Sequence, residues 1–156
     1  MKQHLFYLAI VVFSIFLGAQ ITEGVLLVPY WQSLSPKDFH SYYNSFGPSI
    51  GGFYTILTIA AALIPVAVVI YCERTNSKGL KWAVLSTFFA MLFIASFYIY
   101  FKGTNELFYA SVLSAEELQA ELMTWSQWHW GRVVIECLSL GALIVSLSKL
   151  RNVVEL

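Results

Sequence analysis

SIGGFYTILTIAAALIPVAVVIY, residues 49–71, carries no charged side chain from end to end. At about 1.5 Å of rise per residue, such a helix crosses the ~30 Å hydrocarbon core of a bilayer. A helix on the surface of a soluble domain would instead show one polar face. The stretch therefore reads as a transmembrane span, with Pro65 a kink point and Gly51-Gly52 permitting close contact with another helix.

Working outward, three more runs match it. The first covers residues 5–29, the third residues 82–101 and the last residues 128–148. Leu17-Gly18-Ala19 behind Lys2 gives the first run the look of a signal peptide. Yet Gly24-Val25-Leu26-Leu27-Val28 keeps it apolar to span length, so it reads as a helix that stays in the membrane. The composition agrees, with 58% hydrophobic and 12% charged residues and a mean hydropathy of +0.69. The expected fold is an all-α integral membrane four-helix bundle occupying residues 1–156 as a single transmembrane domain. Spans two and three, joined by the short charged loop Glu73–Lys81, are expected to be antiparallel neighbours.

Two connectors separate the remaining spans. Ser35 as N-cap, Pro36 at the first helical position and Asp38 in the first turn predict a short outer interfacial helix over residues 36–46, ended by Gly47 and Pro48. Its rings Phe39, Tyr42, Tyr43 and Phe46 suit a membrane interface. After Lys102 a second connector leads to an acidic helical stretch, residues 115–122, capped by Ser114. Lys2, Arg74, Lys78, Lys81, Lys149 and Arg151 fall on one side of this topology, against Lys37 and Lys102 on the other. Cytoplasmic loops retain such residues, so both termini are expected in the cytoplasm and both connectors outside.

The net charge of +0 leaves no electrostatic footprint for nucleic acid. The expected partners are the lipid bilayer and a small hydrophobic ligand, with an oligomer left open. Cys72 and Cys137 lack metal-ligand spacing and read as unpaired, membrane-facing thiols. No Walker loop, dinucleotide fingerprint, CxxC, HExxH or GxSxG is present, so nucleotide and classical hydrolase chemistry has no support in the sequence.

An ionisable side chain inside a membrane costs on the order of 2.5–3.5 kcal/mol, so each one asks for a partner or a task. Glu23 lies in the outward half of the first span. Arg132 and Glu136 lie one turn apart in the outward half of the last, and Trp125, Trp128 and His129 continue their stripe. His40 and Asn44 share a face of the short outer helix, and Asn105 and Glu106 follow the third span on the same side. The candidate catalytic residues are thus Glu23, His129, Arg132 and Glu136. Trp125, Trp128, Asn105, His40 and Asn44 are the candidate substrate contacts. The bland alternatives are a structural Arg132–carboxylate pair, an aromatic-belt His129 and a surface His40. If a metal is used, His40, His129, Glu23 and Glu136 are the donor types suited to iron, manganese or zinc; otherwise no cofactor is called for.

Three places in the chain resemble the anthrone oxygenase-like family of small four-span membrane proteins. Gly18-Ala19 leading to Val28-Pro29 and Leu34-Ser35-Pro36 looks like that family's first span and connector. Asn105-Glu106-Leu107 is similar to its Asn-x-x-Leu region, and Trp125-x-x-Trp128-His129-x-x-Arg132 to its tryptophan, asparagine and arginine motif. His129 stands where the family has asparagine, and it can accept a proton where asparagine cannot. The resemblance implies an oxidoreductase, an oxygenase that converts an aromatic substrate reached from the lipid, as in the oxidation of anthrone to anthraquinone. The alternatives are a partner subunit or small-molecule carrier using the same polar cluster, and an ion channel. The last needs polar residues along a full transmembrane path, and the inward halves of the spans offer almost none.

Overall fold

The computed structural model describes the backbone of residues 2–154 and the side chains of residues 7–150. Lys2, Leu5 and Arg151, which entered the span and charge reading, have side chains outside the described residues. Four helices carry the chain: α1 (Tyr7–Ser33), α2 (Pro36–Arg74), α3 (Leu80–Ala110) and α4 (Ala115–Leu150), each long and apolar enough to cross a membrane. No strand occurs among the described residues. The helices pack in a ring in chain order, α1 on α2, α2 on α3, α3 on α4 and α4 back on α1, giving the up-down-up-down bundle expected of short loops. This is a multi-pass membrane protein. The most apolar window of α2 is only 17% buried within the molecule, and Ile56, Leu63 and Ile99 present their side chains outward; lipid is the solvent such a surface requires.

The helices run past the expected span limits. Gly47 and Pro48 do not end an interfacial helix: Pro36–Arg74 is one continuous helix. Pro48 withholds one N–H, a loss that a membrane helix tolerates when neighbours restore the contacts. Gly47 is there for space, because a Cβ on it would lie 2.6 Å from the Tyr109 hydroxyl of α3. Nor does α3 stop at Lys102. It passes through a wide π turn, Phe97–Phe101, and continues to Ala110, since Phe101, Thr104 and Phe108 on its inner face are buried. Residues 115–122 are the first turns of α4, not a separate element. A helix need not end where the hydrocarbon ends, and Lys102 marks only the latter.

The caps agree with the sequence. Asp38 N–H donates to Ser35 Oγ at 3.2 Å, and Ser114 and Glu117 form a reciprocal capping box at 3.3 and 2.8 Å. At the far end Asn76 takes a left-handed conformation (φ 47°), and Ser77 N–H closes on the Cys72 carbonyl at 2.9 Å, turning the chain back into α3. Small residues let α3 meet α4 closely. Ser86 and Ser139 donate reciprocally to each other's carbonyls at 2.8 Å. Gly51-Gly52, by contrast, meets no neighbour within 4 Å and makes no close helix contact. Cys72 is buried, with Sγ 3.7 Å from Ser146 Oγ, rather than facing the membrane; Cys137 is exposed, and both are free.

Two apolar clusters divide the interior. One fills the end holding the 75–79 turn, around Phe13, Phe16, Phe93, Leu143 and Leu147. The other fills the end holding the 111–114 connector, around Trp31, Phe39, Phe108, Leu122 and Trp125. Between them lies a buried polar layer of Gln20, Glu23, His129, Arg132 and Glu136.

Gly79 shows how closely the turn is packed, because an added Cβ would lie 2.7 Å from the Ser146 backbone carbonyl of α4. Gly79→Ala is expected to cost about 1–3 kcal/mol through overpacking and to lower the thermal midpoint in detergent. Gly18→Ala, where nothing lies within 4 Å, serves as the control and should not lower it.

Candidate functional site

Glu23 opens a π turn, Glu23–Leu27, in which the Val28 N–H reaches back to the Glu23 carbonyl. Pro29, one residue beyond, cannot donate to the carbonyl four residues before it, and a wide turn is one way a helix absorbs that loss. Facing it across the bundle, the π turn of α3 sets Phe101 against the polar layer. Both distortions lie at the level of the buried charges.

The Arg132 guanidinium carbon lies 4.0 Å from the Phe93 ring centroid and 4.4 Å from that of Phe101, a cation–π seat on two rings. Its Nε has no hydrogen-bond partner. No carboxylate among the described residues comes within ion-pair distance of the guanidinium, although its charge acts on both Glu23 and Glu136. The expected close pair with either carboxylate is therefore replaced by one cation set between two of them. Glu136 is buried with both oxygens unpartnered, beside a minute void of about 10 Å³. Gln20, wholly buried, also leaves its side-chain amide unmade.

His129 is 0% exposed and held from three directions. Its ring stacks on Trp125 with centroids 5.0 Å apart and planes 9° from parallel. Its Nε2 donates to the Gln20 carbonyl at 2.9 Å, since a carbonyl can only accept. That bond leaves Nδ1 as the ring's lone pair in the neutral form, 3.7 Å from Glu23 Oε2. Gly24 makes room for this: a Cβ there would sit 3.0 Å from the Trp130 ring and 3.1 Å from the His129 ring.

A cavity of about 760 Å³ lies between α2 and α3 and reaches inward to Gln20, Glu23 and Arg132. Trp31, Tyr43, Tyr54, Phe93, Phe101, Tyr109 and Trp125 give it aromatic walls, and Asn105, which accepts from Trp125 Nε1 at 3.3 Å, lies on its upper rim with Lys102 and Glu106. It opens on the flank of the bundle, where Ile59, Leu63 (61% exposed) and Tyr98 (69% exposed) form the rim. This size and this balance of apolar wall with few polar groups are those of a small-molecule site.

Of the expected residues, Glu23, Arg132, Trp125 and Asn105 line the cavity. His129 stands behind Glu23, and Glu136 lies beyond Phe93 on the small void that shares this ring with the cavity. Trp128 is elsewhere, stacked on Tyr100 at 5.0 Å. His40 and Asn44 are not brought to it either. His40 Nδ1 donates to the Phe108 carbonyl at 3.1 Å, and Asn44 Nδ2 donates to the His40 carbonyl and Ser111 Oγ, so both fasten α2 to the end of α3. His40, His129, Glu23 and Glu136 accordingly do not form a metal-holding group, and no set of three His, Cys, Asp or Glu does among the described residues.

Gln20, Tyr54 and Phe93 were not singled out by sequence. Gln20 precedes Glu23 by three residues, hence shares its face, and that spacing could have found it. Tyr54 and Phe93 look like any other rings in apolar runs. Tyr54 donates to the Ala19 carbonyl at 2.9 Å, with its hydroxyl beside the Glu23 carboxyl.

No family model, curated protein or solved structure matches the chain.

Arg132→Met would leave two buried carboxylates without their cation, at a cost of about 3–5 kcal/mol by analogy with breaking a buried pair. Arg132→Met with Glu136→Met is expected to recover a good part of that loss in thermal unfolding. A double variant no more stable than the single would show that Glu136 does not depend on Arg132.

Proposed function

We propose that this protein is a membrane oxygenase that takes a flat, hydrophobic phenol or its keto tautomer from the bilayer and oxidises it with molecular oxygen. The observation that carries the reading is the flank-opening cavity whose inner end holds Glu23 and Arg132 against aromatic walls. The resemblance of Trp125-x-x-Trp128-His129-x-x-Arg132 and Asn105-Glu106-Leu107 to the anthrone oxygenase-like family supports it. The distribution of lysine and arginine supports cytoplasmic termini, which would put the site in the outer half of the membrane.

In this reading Glu23 is the base. Its carboxylate lines the cavity with the Tyr54 hydroxyl beside it, while His129, whose Nδ1 lies 3.7 Å from Glu23 Oε2, packs behind Glu23 rather than meeting substrate. Arg132, fixed on Phe93 and Phe101, stabilises the oxyanion that deprotonation creates. The resulting electron-rich anion reacts with oxygen. For an anthrone, the ring methylene loses both hydrogens, one oxygen atom becomes its carbonyl and the other leaves as water. The step needs no donor besides the substrate. The exposed flank residues Leu63 and Tyr98 at the cavity's edge favour a second reading, a carrier that binds the same molecule and releases it unchanged.

The test is anthrone in nanodiscs containing the protein, with oxygen consumption and anthraquinone absorbance followed together. The expected result is turnover above protein-free discs, with Glu23→Gln and Arg132→Gln each slower by about 100-fold. Naphthol binding without any oxygen consumption would replace the oxygenase with the carrier.

A further inference from the structure

The cavity is chemically two-ended, and its two ends face different surroundings. The inner end presents Glu23, Arg132 Nε and the unmade Gln20 amide, all buried. The outer end is a rim of Ile59 and Leu63 on α2 and Phe97 and Tyr98 on α3, with no charged side chain among these four. These rim residues lie well inside the spans, where the neighbouring phase is hydrocarbon. Toward the connector end the polar layer is roofed by Trp31, Phe39, Phe101, Phe108 and Trp125, each 5% exposed or less and packed edge to face with centroids such as 5.1 Å for Phe39–Phe108 and 5.4 Å for Trp31–Trp125. Beside that roof Lys102, Asn105 and Glu106 give the cavity a polar upper edge, which suits a head group and not an alkyl chain.

From this geometry we infer that the site takes a tailed amphiphile, a phenolic ring carrying an alkyl or prenyl chain, with the ring held at Arg132 and the chain left in the bilayer through the gap between α2 and α3. The inference rests on the proposed phenol site and names the class of substrate it selects. A ring must desolvate its hydroxyl to enter, and the unmade donors of Arg132 and Gln20 supply the replacement bonds. A chain has no such need, because hydrocarbon outside the mouth matches hydrocarbon inside it. Chain length beyond the rim should therefore add nothing to binding once partitioning into lipid is accounted for.

Naphthol, butylnaphthol and dodecylnaphthol, titrated into the full chain in nanodiscs with tryptophan fluorescence as the signal, test this. All three are expected to bind with equal affinity after correction for their concentration in the lipid. Leu63→Trp and Tyr98→Trp, at outward-facing rim positions, are expected to weaken dodecylnaphthol by about tenfold and leave naphthol unchanged. Retained naphthol binding also shows that these variants fold. Dodecylnaphthol binding much more weakly than naphthol to the unaltered chain, or untouched by both tryptophans, would overturn the tail inference while leaving the phenol site standing. Failure of naphthol itself to bind would overturn the site.

Discussion

One cation and two carboxylates buried between apolar clusters inside a membrane constrain everything else in this molecule. Each would cost on the order of 2.5–3.5 kcal/mol at the centre of a bilayer. The bundle answers with partial compensation. Arg132 rests on two aromatic rings, Glu23 has the Tyr54 hydroxyl beside it, and Glu136 is shut away with no hydrogen bond to either oxygen. An interior left partly unsatisfied is expensive, and such expense in a small membrane protein usually marks a site of function.

The surrounding architecture serves that layer. Ser86–Ser139 and the Gly79–Ser146 contact bind α3 tightly to α4 along the half of the bundle away from the site. Toward the other end α2 and α3 part, and the cavity occupies the gap. The connectors then draw them together again through His40, Asn44 and the Gly47–Tyr109 contact. Residues read from sequence as substrate contacts turn out to be the fastening that closes the top of the gap. Tyr100 and Thr104 do the same for α3 and α4, both donating to Glu121 Oε1, at 2.6 and 2.9 Å.

The number of spans, the bundle and the caps at Ser35 and Ser114 were legible because each rests on local physics: run length, hydropathy and a hydroxyl three residues before an N–H. Helix limits were not, because Gly47-Pro48 and Lys102 are stop signals only in water or at a hydrocarbon boundary. Glu23, Arg132 and Glu136 stood out as charges in apolar runs. Their arrangement did not, since it depends on two π turns, and only Pro29 hints at the first. Nothing in an unbroken run such as Phe97–Phe101 marks the second. The cavity was illegible for a plainer reason: it is a place where α2 and α3 fail to touch, and periodicity reports faces that are buried rather than space left empty.

The central claim is that the space between α2 and α3 receives an aromatic ring whose polar atom meets Arg132. Diffraction from crystals of the protein grown in lipid with a bromonaphthol, using the anomalous signal of bromine, locates the ring without reference to any activity. The account predicts the bromine inside this cavity, with the naphthol oxygen within hydrogen-bond reach of Arg132 or Glu23. Bromine found only on the outer surface of the bundle, with α2 closed against α3 at Tyr54 and Phe97, would contradict it.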